Sequence, residues 1–316
     1  MSERRVAAID CGTNSVRLLI AEFDPASGLL VDIAREMRIV RLGEGVDATG
    51  RLNASALQRT FGAVDEYARL IDDANVDSVR FVATSATRDA KNRDDFVSGI
   101  RGRLGIEPEV ISGEEEATLS FTGATNNLEI AGAATPCLVV DIGGGSTEFV
   151  MGEPGRVPTA SISVDVGCVR MTERHFVTDP PWPAEVSAAR DDIEAAIALA
   201  AQELPLRRAG SMVGLAGSVT TVAALAMGMW EYDATRIHGA VITAADIHRV
   251  CEELLYSNRE KRSANPAVHP GRVDVIAAGS LVLSAIVAYT GLAEILVSEH
   301  DILDGIAASL VSPVSE

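Results

Sequence analysis

The chain reads as an α/β protein of two similar domains facing across a cleft. Its 316 residues suit about two domains of ordinary size. Short apolar runs alternate with helix-period segments along the whole length, the pattern of α/β architecture. The pattern also restarts midway. "VAAIDCGTNSVRLLIAEF" and "CLVVDIGGGSTEFVMGEP" each carry an apolar strand ending in Asp (Asp10, Asp141), then Gly (Gly12, Gly143), then Ser (Ser15, Ser146), at matching spacing, before a second apolar strand. An internal repeat of this size predicts two related domains.

In chain order, residues 6–10 and 16–23 read as strands joined by "CGTNS", and "GLLVDIAREMRIVRLG" continues with the alternation of further strands. Residues 53–74 have the helical period, with Leu57, Phe61, Val64, Ala68, Leu70 and Ile71 broadly on one side. "VDSVRFVATSA" is a buried strand, "DDFVSGIRGRLG" a helix stopped by Gly105, and "EPEVIS" a short strand. "GEEEATLSFTGATNNL" opens a helix with acidic side chains in its first turn, where the helix dipole favours them. The second half has strands at "PCLVVD", "TEFVMGE" and "RVPTASISVDVG", and a long helix at "PAEVSAARDDIEAAIALAAQEL". A strand "SMVGLAG" and helices "SVTTVAALAMG" and "TAADIHRVCEELLY" follow, then a polar loop "NREKRSANPAVHPGR". A buried helix "VDVIAAGSLVLSAIVAYTG", a strand "EILVSEH" and a last helix "DILDGIAASLV" complete the chain.

Composition narrows the function classes. With 47% hydrophobic and 23% charged residues, the chain has the balance of a soluble protein with a substantial core. A net charge of -18 disfavours nucleic acid and anionic membrane as partners. Residues 209–230 and 275–293 carry no charge, but glycines and hydroxyl residues interrupt both, so a buried strand-turn-helix and a core helix are predicted rather than membrane spans. Cys11, Cys137, Cys168 and Cys251 lack CxxC spacing and read as buried free thiols of a reducing compartment. The N-terminal residues have no signal-peptide apolar core, so a cytoplasmic location is expected. The isolated histidines are assigned to no metal.

The two glycine turns hold the chemistry. A P-loop or dinucleotide fingerprint runs from a strand into a helix, whereas both turns here run into a second strand. They are hairpin turns in which glycine permits positive φ and leaves no Cβ, letting successive amides converge on an anion. Thr13, Asn14, Ser15, Ser146 and Thr147 add side-chain donors. Asp10 and Asp141 cannot favourably touch bare phosphate, so their work is to hold a hydrated cation or to orient a nucleophile. One such turn alone would be an ordinary hairpin; two with the same spacing predict a paired phosphate cradle.

"DCGTNS", "DIGGGSTE" and "GLAGS" resemble the phosphate 1, phosphate 2 and adenosine segments of the actin/Hsp70/sugar-kinase superfamily. More narrowly, "ATSATRDAKN", "ISGEEEATLSFTGA", "DIGGGSTEFVMGE", "VDVGCVRMTERHF" and "RVDVIAAGSLVL" resemble the exopolyphosphatase/guanosine pentaphosphate phosphatase family in its short two-domain form. The resemblance implies two actin-like (ribonuclease H-like) domains with an interdomain cleft, at 1–123 and 124–300, with a final helix at about 301–316 packing back on the first.

It further implies Glu116 as the water-activating base, Asp141 and Glu148 as metal- and water-handling carboxylates, and Asp10 beside them in the metal set. Thr13, Asn14, Ser15, Arg88, Gly143, Gly144, Gly145 and Ser146 would contact phosphate. Arg17, Arg93, Arg170 and Arg174 are further candidates for a local positive focus. Mg²⁺ is the implied ion, with Mn²⁺ as the alternative, no organic cofactor, and a homodimer as the assembly. The implied reaction releases orthophosphate from the end of inorganic polyphosphate, with shorter chains favoured. The alternatives are a guanosine pentaphosphate 5′-phosphohydrolase and an ATP-dependent kinase or switch. One departure stands out: Leu303-Asp304-Gly305 replaces the Arg-Glu-Gly of many relatives.

Overall fold

The structure is a computed structural model that describes residues 4–126 and 134–311. The chain divides into two compact units, Met1–Gly123 with Ile302–Glu316, and Ala124–Asp301.

In the first unit β1 (Arg4–Cys11), β2 (Ser15–Asp24) and β3 (Leu29–Ile39) form an antiparallel meander. β4 (Ser78–Ala83) joins β1 in parallel, and β5 (Glu109–Val110) joins β4, giving the order β3-β2-β1-β4-β5. Parallel neighbours need crossovers. α1 (Val46–Thr49) and α2 (Ala54–Asp73) supply one, α3 (Ser85–Asp89) and α4 (Arg93–Leu104) the other. β1 is buried on both faces, so its alternation sorts two cores. Ala7, Ile9 and Cys11 pack with Val64 and Tyr67 of α2 and Phe96 and Ile100 of α4. Val6 and Ala8 pack with Leu119 of α5 (Gly113–Asn126) and with Ile302, Leu303 and Ile306 of α13 (Ile302–Val311). Asp10 continues the second of these faces.

Local signals account for much of this. Asn53 caps α2 by accepting from the Ala56 amide at 2.7 Å, and Gly105 closes α4 at φ 69°. Tyr67, absent from the apolar stripe read in the sequence, is fully buried because its hydroxyl donates to the Val16 carbonyl at 2.9 Å. The strand expected through "VATSA" ends at Ala83. The Thr84 amide donates to the Cys11 carbonyl, and the chain turns into α3. The continuation of α5 through Asn127 and Leu128, and of α13 beyond Val311, lies outside the described residues.

The second unit repeats the plan. β6 (Cys137–Ile142), β7 (Thr147–Gly152) and β8 (Ala160–Val164) form the meander. β9 (Ser211–Leu215) pairs with β6 in parallel and β11 (Glu294–Val297) with β9, while β10 (Val241–Thr243) adds an antiparallel edge. The order is β10-β11-β9-β6-β7-β8. The helices are α6 (Cys168–His175), α7 (Pro183–Glu203), α8 (Ala216–Ala226), α9 (Ala234–Ile237), α10 (Ala244–Leu255), α11 (Arg259–Ser263) and α12 (Ile276–Thr290). α12 is buried along nearly all its length, which is why its segment is free of charge. No helix among the described residues is long and apolar enough to cross a membrane. The four cysteines are buried and free. The polar stretch read as a loop contains α11, started by the Asn258 side chain accepting from the Lys261 amide at 2.9 Å. The short elements α6, α9 and β10 were not legible as a periodic pattern.

Candidate functional site

Each meander makes a loop of the same length and register. Cys11 pairs with Val16 and Ile142 with Thr147, leaving loops 12–15 and 143–146. In both, the first amide donates to the fourth carbonyl at 3.0 Å, Gly12 to Ser15 and Gly143 to Ser146. Neither Gly12 nor Gly143 has a positive φ, which corrects the expectation that they serve a left-handed turn. At Gly143 the need is closeness, since a Cβ there would stand 3.1 Å from the Ser146 carbonyl oxygen.

The other carbonyls are held from behind. In the first loop Gly43 donates to the Thr13 carbonyl at 2.8 Å, and Val40 and Arg41 donate to that of Asn14 at 3.0 and 2.9 Å. In the second, Cys168 donates to Gly143 at 3.0 Å, and Val169 and Arg170 donate to Gly144 at 2.8 and 3.1 Å. A glycine lets each backing segment approach. A Cβ on Gly43 would lie 2.2 Å from Thr13 Cγ2, and one on Gly167 would lie 2.5 Å from the Gly144 carbonyl. The amides of Thr13 and Asn14, and those of Gly144, Gly145 and Ser146, find no acceptor among the described residues. Thr13 Oγ1 meets Ser85 Oγ at 2.8 Å.

Strand register decides what the carboxylates can do. Asp10 lies opposite Arg17 and Asp141 opposite Glu148. Arg17 donates to Asp10 Oδ2 through Nε at 3.0 Å and Nη2 at 2.6 Å, so Asp10 is already bound to a cation. The second hairpin sets two carboxylates side by side, with Asp141 7% and Glu148 1% exposed. Ser163 Oγ donates to Glu148 Oε1 at 2.7 Å. Like charges directly opposite on a sheet repel, and a cation beside the pair would offset that repulsion. Among the described residues no group of three or more His, Cys, Asp or Glu could hold a metal by itself. Two carboxylates with phosphate oxygens and water completing the shell is a common arrangement for Mg²⁺.

The three glutamates that open α5 diverge. Ser112 Oγ starts the helix by accepting from the Glu115 amide at 3.1 Å. Glu114 and Glu115 are exposed, and Glu115 pairs with Arg80 at 2.7 Å. Glu116 is 8% exposed and accepts from Arg88 Nη1 at 3.0 Å. Arg88 also donates to the Ile111 carbonyl at 3.2 Å, tying α3 to the segment before α5.

Of the remaining arginines, Arg174 pairs with Asp192 at 2.7 Å and Arg93 is exposed at the start of α4. Arg170 turns back to the second loop, its Nε donating to the Gly145 carbonyl at 2.6 Å. Arg272 was not singled out in the sequence. Its guanidinium lies where a Cβ on Gly217, in the first turn of α8, would come within 2.3 Å. Leu303 is a core residue, and the next residue, Asp304, accepts from Arg35 Nη2 at 2.6 Å. Burial works against the Arg35 charge, but Asp304 and Asp32 outweigh it and hold its pKa above the ordinary value.

The model of the Ppx/GppA phosphatase family matches residues 19–312. Exopolyphosphatase 2 of Mycobacterium tuberculosis is 49% identical, over 98% of this chain and 99% of its own length. The crystal structure of an exopolyphosphatase-like protein, 40% identical, superposes with a TM-score of 0.91 over 96% of this chain and 97% of that one. The Aquifex aeolicus member of the Ppx/GppA family, 33% identical, superposes with a TM-score of 0.80 over 98% of both chains.

Proposed function

Because the chain belongs to the Ppx/GppA phosphatase family, we propose that it is an exopolyphosphatase, hydrolysing the terminal phosphoanhydride of inorganic polyphosphate and releasing orthophosphate. The full-length likeness to Exopolyphosphatase 2 carries this reading. The fold is the family's, α/β with two actin-like domains.

Glu116 is the general base in this reading. It takes a proton from the water whose oxygen attacks the terminal phosphorus, while the bond to the bridging oxygen breaks and the shortened polyphosphate leaves. Arg88 fixes the direction of the Glu116 carboxylate through its 3.0 Å contact. The amides of Thr13 and Asn14, and of Gly144 to Ser146, receive phosphate oxygens, with Ser15 beside them, because preorganised donors offset the charge that builds in the transition state. Asp141 and Glu148 would hold a divalent cation, Mg²⁺ with Mn²⁺ as the alternative, and Asp10 would join them only with Arg17 attached. When bound, that cation supplies further charge neutralisation at the phosphate. No organic cofactor enters the scheme. Shorter chains are the favoured substrates, the location is cytoplasmic and the assembly a homodimer, which light scattering would test. The net charge of -18 supports a partner list without nucleic acid or membrane.

The test is orthophosphate release from short-chain and long-chain polyphosphate, guanosine pentaphosphate and ATP, with and without Mg²⁺. Glu116→Gln is expected to lower polyphosphate turnover by about 10²–10⁴-fold. Equal turnover in both proteins would remove Glu116 from the role. Release from guanosine pentaphosphate alone would replace the substrate assignment.

A further inference from the structure

The carbonyls of Gly143, Gly144 and Gly145 all accept hydrogen bonds from the first turn of α6. A trans peptide is planar, with its C=O and N–H pointing opposite ways. Holding the Gly143 carbonyl therefore aims the Gly144 amide away from α6. Holding the Gly144 carbonyl aims the Gly145 amide, and holding the Gly145 carbonyl aims that of Ser146. Successive amides directed to one side make an anion-binding concavity. Backbone donors of α6 fix the first two peptides. The third, Gly145–Ser146, depends on one side chain, Arg170 Nε at 2.6 Å.

We propose that Arg170 is a positioning residue for phosphate binding: it locks the Gly145–Ser146 peptide so that the Ser146 amide faces the phosphate. The role belongs to the Nε–H bond rather than to the guanidinium charge. Without it the peptide is free to rotate and turn the Gly145 carbonyl oxygen toward the anion, replacing attraction with repulsion. The proposal rests on the reading above that this loop takes phosphate.

Two substitutions isolate the bond. Glutamine places an N–H at the same distance along the side chain as arginine Nε, and methionine places a methyl group there. Arg170→Met is expected to lower kcat/KM for polyphosphate by about tenfold or more, and Arg170→Gln to stay within about twofold of wild type. The control Arg156→Ala, which removes an exposed arginine of the same unit, leaves kcat/KM unchanged. Wild-type rates for Arg170→Met, or an equal loss in Arg170→Gln, would overturn the proposal.

A second measurement needs no variant. Titrating inorganic tripolyphosphate into ¹⁵N-labelled wild-type protein should shift the amide resonances of Gly144, Gly145 and Ser146, and absence of a shift at Ser146 overturns the proposal. If those amides shift while the protein releases no orthophosphate, the hydrolase reading fails and the positioning role stands.

Discussion

Glu115 and Glu116 are neighbours in sequence and opposites in setting. One is exposed and meets the half-buried Arg80, and the other is buried against Arg88. Cys11 shows the same power of surroundings over chemistry. Burial first, and the nearby Asp10 second, push its thiol well above the ordinary 9.0. The folded protein thus keeps this proton at a pH where the unfolded chain has lost it. Stability is intact below pH 9 and falls as pH rises toward the folded value. Cys137, Cys168 and Cys251 are raised by burial too and act in the same direction. The unfolding free energy read from urea titrations should therefore fall as pH rises above 9. Cys11→Ala should flatten that slope, and an unchanged slope would show that Cys11 contributes nothing to it.

Among the elements, α13 shows how one contact sets a helix in place. It lies over β1 in the first unit, with Ile302, Leu303 and Ile306 in the core that Val6, Ala8 and Leu19 line. Gly305 is what lets it lie so close to α5, since a Cβ there would come within 2.0 Å of the Leu119 carbonyl oxygen. That neighbour is backbone inside a helix and has little room to yield. Gly305→Ala is expected to destabilise the first unit by about 1–3 kcal/mol, read as a lower urea midpoint. An unchanged midpoint would mean that α13 is free to shift without cost.

Across the whole molecule, the first unit is closed by chain from both ends of the sequence. Ending the chain at Asp301 removes α13 and uncovers Val6, Ala8, Leu19, Ala21 and Val82. Such a truncation should bind a hydrophobic dye and lose the cooperative melting of the first unit. The second unit keeps its own core of Leu138, Val140, Phe149 and their neighbours, so residues 124–301 should resist proteolysis. Melting and dye binding equal to those of the intact protein would show that the first unit does not need its C-terminal helix.

The strands, most helices and the twin Asp-x-Gly-x-x-Ser hairpins are legible in the amino-acid sequence, because alternation, helical period and turn spacing are local properties of the chain. Resemblance to the family, carried by short motifs, pointed to Glu116, Arg88, Asp141 and Glu148. Other facts needed strands and helices brought together from distant positions. That Asp141 faces another carboxylate while Asp10 faces Arg17 follows from pairing register. That Arg170 reaches back to Gly145, and Arg272 to Gly217, follows from packing across long stretches of chain. Short elements such as α6, α11 and β10 hold too few residues to show a period, so tertiary contacts define them. Tertiary structure alone decided which donors lie behind each glycine loop, because the direction of a peptide plane depends on the partner that holds its carbonyl.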